Sequence, residues 1–268
     1  MLATLVDRSH GTALPLPAPL RDRYGGDLRF PRGRVHVFSN FVSSIDGVVS
    51  FAVPGKTQAS YISKGEPADR FVLGLLRAAA DAVIVGAGTL REERGGMWTP
   101  AQPFPDAAGE FAELRRAMGI AERPLTVIVS ASGDLDLATP ALAEGAPILV
   151  LTTAGGARRL AGAPPHLRVR ELEATTASKI LDATVDETGG KLILTEGGPT
   201  LLGHFLRERL LDDLFLTIAP RIVGRSSEAR RLALVEGAAF LPGDARESRL
   251  LSVKAAGDYL FLRFARRD

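Results

Sequence analysis

The 268-residue sequence contains no cysteine and only four histidines. The absence of cysteine excludes disulfide bonds, thiolate zinc sites, iron–sulfur clusters and cysteine nucleophiles. The histidines are far apart in the chain, and none shows the His-Glu-x-x-His spacing that holds a catalytic metal. We therefore expect no metal in the functional site.

The sequence also lacks long apolar runs and a strong charge of either sign. No segment approaches the roughly 18 apolar residues of a membrane-spanning helix, and the N-terminus lacks the basic-then-apolar pattern of a signal peptide. The net charge is +2, and the basic residues are dispersed rather than interleaved with aromatic residues. These features predict a cytoplasmic protein that binds a small molecule rather than a membrane or a nucleic acid.

Prolines are concentrated at the start of the chain. Residues 1–33 contain four of them and the Gly25-Gly26 pair. Because proline cannot donate to a strand ladder, this density predicts an N-terminal arm that lies over the domain. The core is expected to begin after it, and residues 34–268 are expected to form a single domain.

After this segment, short apolar stretches alternate with stretches of helical periodicity. The predicted strands cover residues 35–42, 82–85, 125–129, 148–151, 167–169, 192–194 and 214–218. The predicted helices cover residues 67–80, 174–188 and 199–210. This alternation is typical of an α/β domain with a mixed, mostly parallel sheet covered by helices on both faces. Residues 250–255 and 259–264 flank a turn at Gly257 and predict a C-terminal antiparallel hairpin.

The first motif is Gly86-Ala87-Gly88-Thr89, directly after a predicted strand. Glycines there let backbone N–H groups approach a phosphate, and a helix that begins at this point adds the positive end of its dipole. The full dinucleotide fingerprint is absent, because Arg91 occupies the place of the third glycine. A tight turn and a phosphate site both fit, and Arg91 is suggestive of a phosphate.

The second motif is Glu196-Gly197-Gly198-Pro199-Thr200, between a predicted strand and a predicted helix. Two glycines and a proline in the first turn leave a bare helix N-terminus, which is suited to an anion. A plain turn explains either motif alone. The two together favour a ligand with more than one phosphate, such as a dinucleotide.

Taken in order, the motifs resemble those of the pyrimidine reductases of riboflavin biosynthesis. The matching segments are residues 40–47, 61–63, 75–78, 81–89, 196–200 and 214–224. The resemblance covers about residues 34–265 and implies the three-layer dihydrofolate reductase fold, NADPH as hydride donor and a homodimer. We expect a stand-alone reductase, because the zinc deaminase domain that often precedes such reductases requires cysteines.

The resemblance also implies the residues that contact the cofactor. The two glycine motifs would hold the pyrophosphate, and Arg91 with Ser130 or Ser132 would face the 2′-phosphate of the adenosine. In dihydrofolate reductases a cis peptide joins the glycines that match Gly197 and Gly198. The implied cofactor-binding residues are Gly86, Gly88, Thr89, Arg91, Ser130, Ser132, Glu196, Gly197, Gly198, Pro199 and Thr200.

The substrate side departs from the family pattern. Asn40 stands where the family usually has lysine, and Glu93-Arg94-Gly95 stands where it usually has Asp-Asp-Pro. The substrate-binding residues implied by position are Asn40, Ser44, Ser63 and Arg77, of which Arg77 would meet a substrate phosphate.

Two aspartates are the expected catalytic residues. Pro67-Ala68-Asp69 resembles the Pro-Ala-Asp of dihydrofolate reductases, in which the carboxylate binds a 2-amino-4-oxo ring. Asp46, in an Asp-Gly pair that is also a common turn, would shape the nicotinamide end of the site. The alternative for Asp69 is a first-turn acid that interacts with the helix dipole.

These expectations lead to three hypotheses. The first is an NADPH-dependent reductase of a 2-amino-4-oxo-pyrimidine or pteridine, with the ribosylaminopyrimidinone phosphate of riboflavin biosynthesis as first candidate substrate. The second is a dihydrofolate or dihydropterin reductase. The third is a non-catalytic NADPH-binding or regulatory protein.

Overall fold

The computed structural model describes residues 1–52, 58–92, 97–143, 147–229 and 231–267. The strands are β1 (Ala3–Asp7), β2 (Thr12–Ala13), β3 (Arg29–Phe30), β4 (His36–Ser44), β5 (Val48–Ser50), β6 (Ala82–Gly86), β7 (Leu125–Val129), β8 (Ile148–Thr152), β9 (Leu167–Glu171), β10 (Leu192–Thr195), β11 (Asp213–Ala219), β12 (Leu232–Ala233), β13 (Ser248–Ala256) and β14 (Tyr259–Arg266). The helices are α1 (Ala18–Tyr24), α2 (Gln58–Ser63), α3 (Pro67–Ala79), α4 (Ala87–Glu92), α5 (Ala108–Met118), α6 (Pro140–Ala143), α7 (Ala154–Arg159), α8 (Ala177–Thr188) and α9 (Pro199–Arg207), with short 3₁₀ turns at Pro105–Ala107 and Pro242–Asp244.

Ten strands form one mixed sheet in the order β1-β13-β14-β11-β4-β10-β6-β7-β8-β9. Neighbours from β11 through to β9 are parallel, whereas β14, β13 and β1 pair antiparallel. Two small antiparallel pairs, β5 with β12 and β2 with β3, lie beside this sheet. The mostly parallel sheet and the C-terminal hairpin of β13 and β14 confirm the predicted fold class.

The central strand β6 shows why helices cover both faces of the sheet. Its side chains alternate between the faces, as in any strand. Val83 belongs to the core that includes Leu75 of α3, and Ile84 belongs to the core that includes Ile180 of α8 and Phe205 of α9. Because all these side chains are buried, the strand is apolar on both sides and requires a helical layer on each.

Two helices are shorter than their periodicity predicted, because local features of the chain set their first or last residue. Helix α8 begins at Ala177 rather than 174, because the Thr176 hydroxyl accepts the Lys179 N–H in an N-cap. Helix α9 ends at Arg207 rather than 210, and Arg209 shortly after it has a positive φ of 56°. That left-handed residue turns the chain away from the helix axis.

The expectation that the core begins after residue 33 is wrong. Strand β1 pairs with β13 at the edge of the main sheet, and Leu20, Leu28 and Phe30 are all buried in the main core. The proline density misled the prediction, because Pro19 lies in the first turn of α1, where a missing N–H is harmless. In the described ranges, no helix combines the length and apolarity needed to cross a bilayer.

Candidate functional site

One elongated cleft lies at the C-terminal ends of β4, β6 and β10, which is the edge where open α/β sheets bind ligands. It has two adjoining parts of about 350 and 340 Å³ that share Thr89, Gly198 and Pro199 in their walls. We call the first part the acid half, and its polar walls include Asn40, Ser63, Asp69, Arg77 and Glu196. We call the second part the glycine half, and its walls include Gly86, Gly88, Arg91, Thr200 and His204.

Asp69 reaches the acid half because of the turn between α2 and α3. Lys64 and Gly65 both have positive φ, 53° and 69°, and this reverses the chain between the two helices. Helix α3 is then capped by Glu66, whose carboxylate accepts the Ala68 N–H at 3.2 Å. Asp69 follows in the first turn, where it lines the acid half together with Ser63 of α2.

The environment of Asp69 favours its protonated form. Burial raises the pKa of Asp69 to about 6, although the hydroxyls of Thr217 and Ser63 hydrogen-bond its side chain and favour the charged form. A carboxyl group that titrates near neutral pH in a cleft is suited to holding and releasing a proton. The raised pKa and the position in the cleft wall suit Asp69 to acid–base chemistry, which the helix-dipole interaction of a first-turn acid does not require.

Arg77 and Glu196 form a buried ion pair in the wall of the acid half. Arg77 Nε lies 2.7 Å from Oε1 of Glu196, and its Nη2 lies 2.6 Å from Oε2. Nη1 of Arg77 donates to Gln102 Oε1 at 2.8 Å. The guanidinium is thus occupied by protein acceptors, which argues against the predicted contact with a substrate phosphate. The same pair holds the Glu196 carboxylate on Arg77 rather than on a cofactor.

Asn40 also faces the acid half, from strand β4. Its Oδ1 atom is buried and has no hydrogen-bond partner in the described residues. Such an atom destabilises the folded protein unless a donor satisfies it. The amide oxygen is therefore a candidate acceptor for an N–H group of a ligand.

The glycine half forms where the two glycine motifs meet. A Cβ atom added at Gly198, which precedes α9, would lie 3.4 Å from the Thr89 hydroxyl, and one added at Gly86 or Gly88 would meet nothing within 4 Å. The backbone at these positions is therefore open to a ligand, and first-turn N–H groups of α9 lack intrahelical acceptors. Exposed Arg91 lines the same half.

Gly197 has a structural role instead of the predicted ligand contact. Its N–H donates to the Ile84 carbonyl at 3.0 Å, and a Cβ atom there would lie 2.3 Å from Leu201 Cδ2. A side chain at this position would therefore require Leu201, in the first turn of α9, to shift. The described residues contain no cis peptide bond, so the Gly197-Gly198 bond is trans.

Ser130 and Ser132 do not line the glycine half in the part of the chain that is described. Ser130 is buried, and its N–H donates to the Leu151 carbonyl at 3.0 Å. The Ser132 hydroxyl accepts the Asp134 N–H at 3.3 Å. Val129 is the residue of this strand that reaches the cleft. The predicted 2′-phosphate contact by these serines is therefore not supported by the geometry.

Asp46 and Ser44 lie outside the lining of the acid half. The exposed Asp46 carboxylate accepts hydrogen bonds from the Ser44 hydroxyl at 2.6 Å and from the N–H groups of Val223 and Gly224 at 3.0 and 2.7 Å. The Ser44 and Val223 bonds are the main reasons that the pKa of Asp46 is lowered to about 2. Both side chains anchor the loop after β4, so these contacts do not support a catalytic role for Asp46 or a substrate contact for Ser44.

Sequence reasoning missed several polar residues of this region, among them Thr217, Gln102 and Glu92. Thr217 occupies a buried position of β11 between Phe215 and Ala219, where alternation predicts an apolar side chain, and that polar exception was its signal. Glu92 lines both halves, and burial raises its pKa. No sequence pattern marks Gln102.

Two further sequence predictions remain: that the site holds no metal, and that residues 93–95 differ from the usual family sequence on the substrate side. The residues that the structure describes contain no group of three or more potential metal ligands. Glu93-Arg94-Gly95 lies outside the described residues.

The sequence matches known proteins over most of its length. The model of the RibD C-terminal domain matches residues 35–258. The riboflavin biosynthesis protein RibD of Mycobacterium tuberculosis is 31% identical over 199 residues, which is 72% of this chain but only 44% of that protein. The 2,5-diamino-6-ribosylamino-4(3H)-pyrimidinone 5′-phosphate reductase of Archaeoglobus fulgidus is 26% identical over 201 residues, 71% of this chain and 83% of that protein.

Solved structures show the same fold. A pyrimidine reductase-like protein of Corynebacterium diphtheriae superposes with a TM-score of 0.67 at 23% identity, over 87% of this chain and 93% of that one. RibD of Acinetobacter baumannii superposes with a TM-score of 0.66 at 21% identity, over 88% of this chain and 59% of that one. Since the family model spans most of its residues, the chain belongs to the RibD C-terminal domain family.

Proposed function

We propose that the protein is an NADPH-dependent reductase of a pyrimidinone that carries a ribosylamino phosphate, the substrate class in the name of the Archaeoglobus relative. One observation carries this proposal. A buried carboxyl group with a pKa of about 6 lies in the same cleft as two backbone motifs open to an anion. The arrangement supports proton transfer next to a bound phosphate-containing cofactor.

The glycine half fits NADPH. Space at Gly86 and Gly88 admits a pyrophosphate close to the backbone, and Gly198 with Thr200 lies at the start of α9. Arg91 provides a positive charge for an additional phosphate, which favours NADPH over NADH. When bound, this cofactor would supply a hydride.

Reduction of a C=N or C=O bond requires a proton at the heteroatom as well as a hydride at carbon. We assign the proton to the Asp69 carboxyl, which is partly protonated near neutral pH. Ser63 and Thr217 orient this carboxyl through their hydroxyls, and Asn40 Oδ1 accepts an N–H of the substrate. The Arg77–Glu196 pair acts by positioning, since it ties α3 to the loop that begins α9.

Absorbance loss of NADPH tests this function. The assay compares 2,5-diamino-6-ribosylamino-4(3H)-pyrimidinone 5′-phosphate with a dihydropterin and dihydrofolate under identical conditions. We expect turnover with the ribosylaminopyrimidinone. Turnover confined to the pterin substrates would identify the second hypothesis instead, and tight NADPH binding without any turnover would identify a non-catalytic protein.

We also propose that the protein is a homodimer, as the family resemblance implies. Light scattering of the purified protein at several concentrations tests this assembly. A mass near twice 28.5 kDa is the expected result, and a mass near 28.5 kDa throughout would contradict it.

A further inference from the structure

A second polar cavity, of about 80 Å³, lies at the opposite end of the sheet from the cleft. His36 is the first residue of β4 and Asp213 is the first residue of β11, and both line this cavity. Because β4 and β11 are parallel, the cavity is at their N-terminal ends, whereas the cleft is at the C-terminal ends. We call it the basic cavity, and the proposed reductase chemistry does not use it.

The charges that line the basic cavity do not cancel. Its arginines are Arg34, Arg249, Arg263 and Arg266, and its acids are Asp212 and Asp213. Arg263 pairs with Asp213 and Arg34 pairs with Asp212, and the Arg249 guanidinium adds a further positive charge to the wall. A positive charge in a concave, partly desolvated site attracts an anion.

The two carboxylates are already engaged by protein groups. Asp213 Oδ2 accepts from Nη2 of Arg263 at 2.5 Å and lies 2.9 Å from Nε2 of His36. Asp212 accepts from Arg34 at 2.8 Å and from the Val37 N–H, also at 2.8 Å. Exposed Arg249, by contrast, contacts Nε2 of His10 through its Nη2 atom at 3.1 Å.

His36 provides an independent sign of a ligand. Its side chain is 3% exposed, and its Nδ1 atom is buried with no hydrogen-bond partner in the described residues. The nearest carboxylate oxygen, Oδ2 of Asp212, is 3.8 Å away, too far for a hydrogen bond. An unpartnered ring nitrogen in a polar cavity is destabilising unless a ligand or water satisfies it.

We propose that the basic cavity binds a phosphate group, either inorganic phosphate or a small phosphate monoester. A single water needs roughly 10–15 Å³ of such space, so a cavity of about 80 Å³ accommodates a larger tetrahedral anion. Arg34 and Arg249 donate to its oxygens. His36, whose Nδ1 atom has no partner in the described residues, lines the same cavity and reports the bound anion.

Nitrogen NMR of protein labelled with ¹⁵N-histidine tests this site directly. The sequence has only four histidines, His10, His36, His166 and His204, which are assigned by single substitutions. Inorganic phosphate is titrated against sodium chloride at constant ionic strength. We expect a saturable shift of the His36 Nδ1 resonance, and glycerol 3-phosphate in a second arm distinguishes a monoester site from one for the free ion.

Arginine substitutions show whether the shift belongs to the basic cavity. Arg249→Gln and Arg34→Gln remove exposed side chains, and each is expected to weaken the phosphate affinity reported by His36 roughly tenfold or more. Arg32→Gln is the matched control, because Arg32 is exposed, lies near Arg34 in the chain and does not line the cavity.

His204 lines the glycine half and reports phosphate bound there instead. A response of His204 without one of His36 would overturn the proposal. An equal response to chloride, or an unchanged affinity in Arg249→Gln, would overturn it as well.

Discussion

The two halves of the cleft are built in different ways. The glycine half is formed largely by two short continuous segments, one at the end of β6 and one after β10. The acid half is assembled from side chains on separate elements, including Asn40 of β4, Ser63 of α2, Asp69 of α3 and Thr217 of β11. The residues of the proposed anion site are thus close together in the sequence, whereas those of the proposed acid–base site come together only when the whole domain folds.

The halves also differ in where polar groups are buried. The acid half contains a buried acid with a raised pKa, a buried ion pair and the unpartnered oxygen of Asn40. At Gly86, Gly88 and the exposed Arg91, the glycine half is open to solvent. A buried acid with a raised pKa and a buried oxygen without a partner both lower the free energy of unfolding. We therefore infer that the acid half lowers the stability of the fold in return for its proposed catalytic function.

The largest expected effect on stability comes from breaking the ion pair of the acid half. Glu196→Ala leaves the Arg77 guanidinium buried without its bidentate partner, and we expect a loss of about 3–5 kcal/mol in the free energy of unfolding, measured by urea denaturation. Glu247→Ala is the control, because its pair with Arg267 is exposed and worth about 0–1 kcal/mol. Similar losses in the two variants would contradict a special role for the buried pair.

A side chain at Gly198 is expected to block the glycine half. In Gly198→Val the branched side chain would enter the space between Thr89 and the start of α9. We expect NADPH affinity to fall by roughly 10²-fold, equivalent to two lost charge-assisted hydrogen bonds, in a variant that still melts cooperatively. Gly243→Val is the control for a glycine-to-valine substitution as such, because a Cβ atom at that site meets nothing within 4 Å. If a folded Gly198→Val variant binds NADPH as tightly as the unmodified protein, Gly198 does not lie at the cofactor site.

Arg91 tests the glycine half separately from the acid half, because it is the charged side chain expected to recognise a cofactor phosphate. Arg91→Ala should reduce the preference for NADPH over NADH by about 1.5–3 kcal/mol, as measured by calorimetry with each cofactor. Arg116→Ala, which removes an exposed arginine of α5, should leave the preference unchanged. Equal affinity of the unmodified protein for both cofactors would show that Arg91 does not have this role.

The smallest effect is expected at Asp46, which lies outside both halves. Asp46→Asn should change turnover by less than about threefold, the size typical of a surface substitution. The lowered pKa of Asp46 stabilises the folded protein above the pKa of the unfolded chain, and this stabilisation is lost as the pH falls towards 2. Thermal melts of both proteins should therefore converge at low pH, and a large loss of turnover would restore the catalytic assignment.

The glycine half was largely predictable from sequence because its motifs are contiguous. Gly86, Gly88, Gly198 and Thr200 line it as expected. The hydrogen bond from the Gly197 N–H to the Ile84 carbonyl was not predicted, since it joins segments that are distant in sequence. Ser130 and Ser132 were expected here and do not line the described walls of this half, whereas Glu92 lines it without having been predicted.

The acid half was predictable only in part. Asp69 and Ser63, which the resemblance implied for the site, line the cleft. The implied phosphate contact of Arg77 is not supported, because the Arg77 guanidinium binds Glu196 and Gln102, and both partners are distant from it in sequence. Long-range pairing of this kind leaves no local pattern. The same reason explains the N-terminal segment, whose strand β1 pairs with residues near the other end of the chain.

The most direct test is to measure both stability and turnover when Asp69 is changed, because we predict that this residue lowers stability and is needed for catalysis. Its folded-state pKa of about 6 exceeds the value of about 3.9 in an unfolded chain, so the folded protein binds more protons between these values. The free energy of unfolding should therefore fall by about 2 kcal/mol as the pH rises from about 4 to above 6.

Turnover and unfolding are measured on Asp69→Asn and the unmodified protein across this pH range, with exposed Asp106→Asn as the control. At pH 7 we predict that Asp69→Asn turns over roughly 10²-fold more slowly, a typical loss for a general acid, and yet unfolds at a higher temperature. Full activity together with a lowered melting temperature would contradict the account and return Asp69 to the role of a helix-start acid.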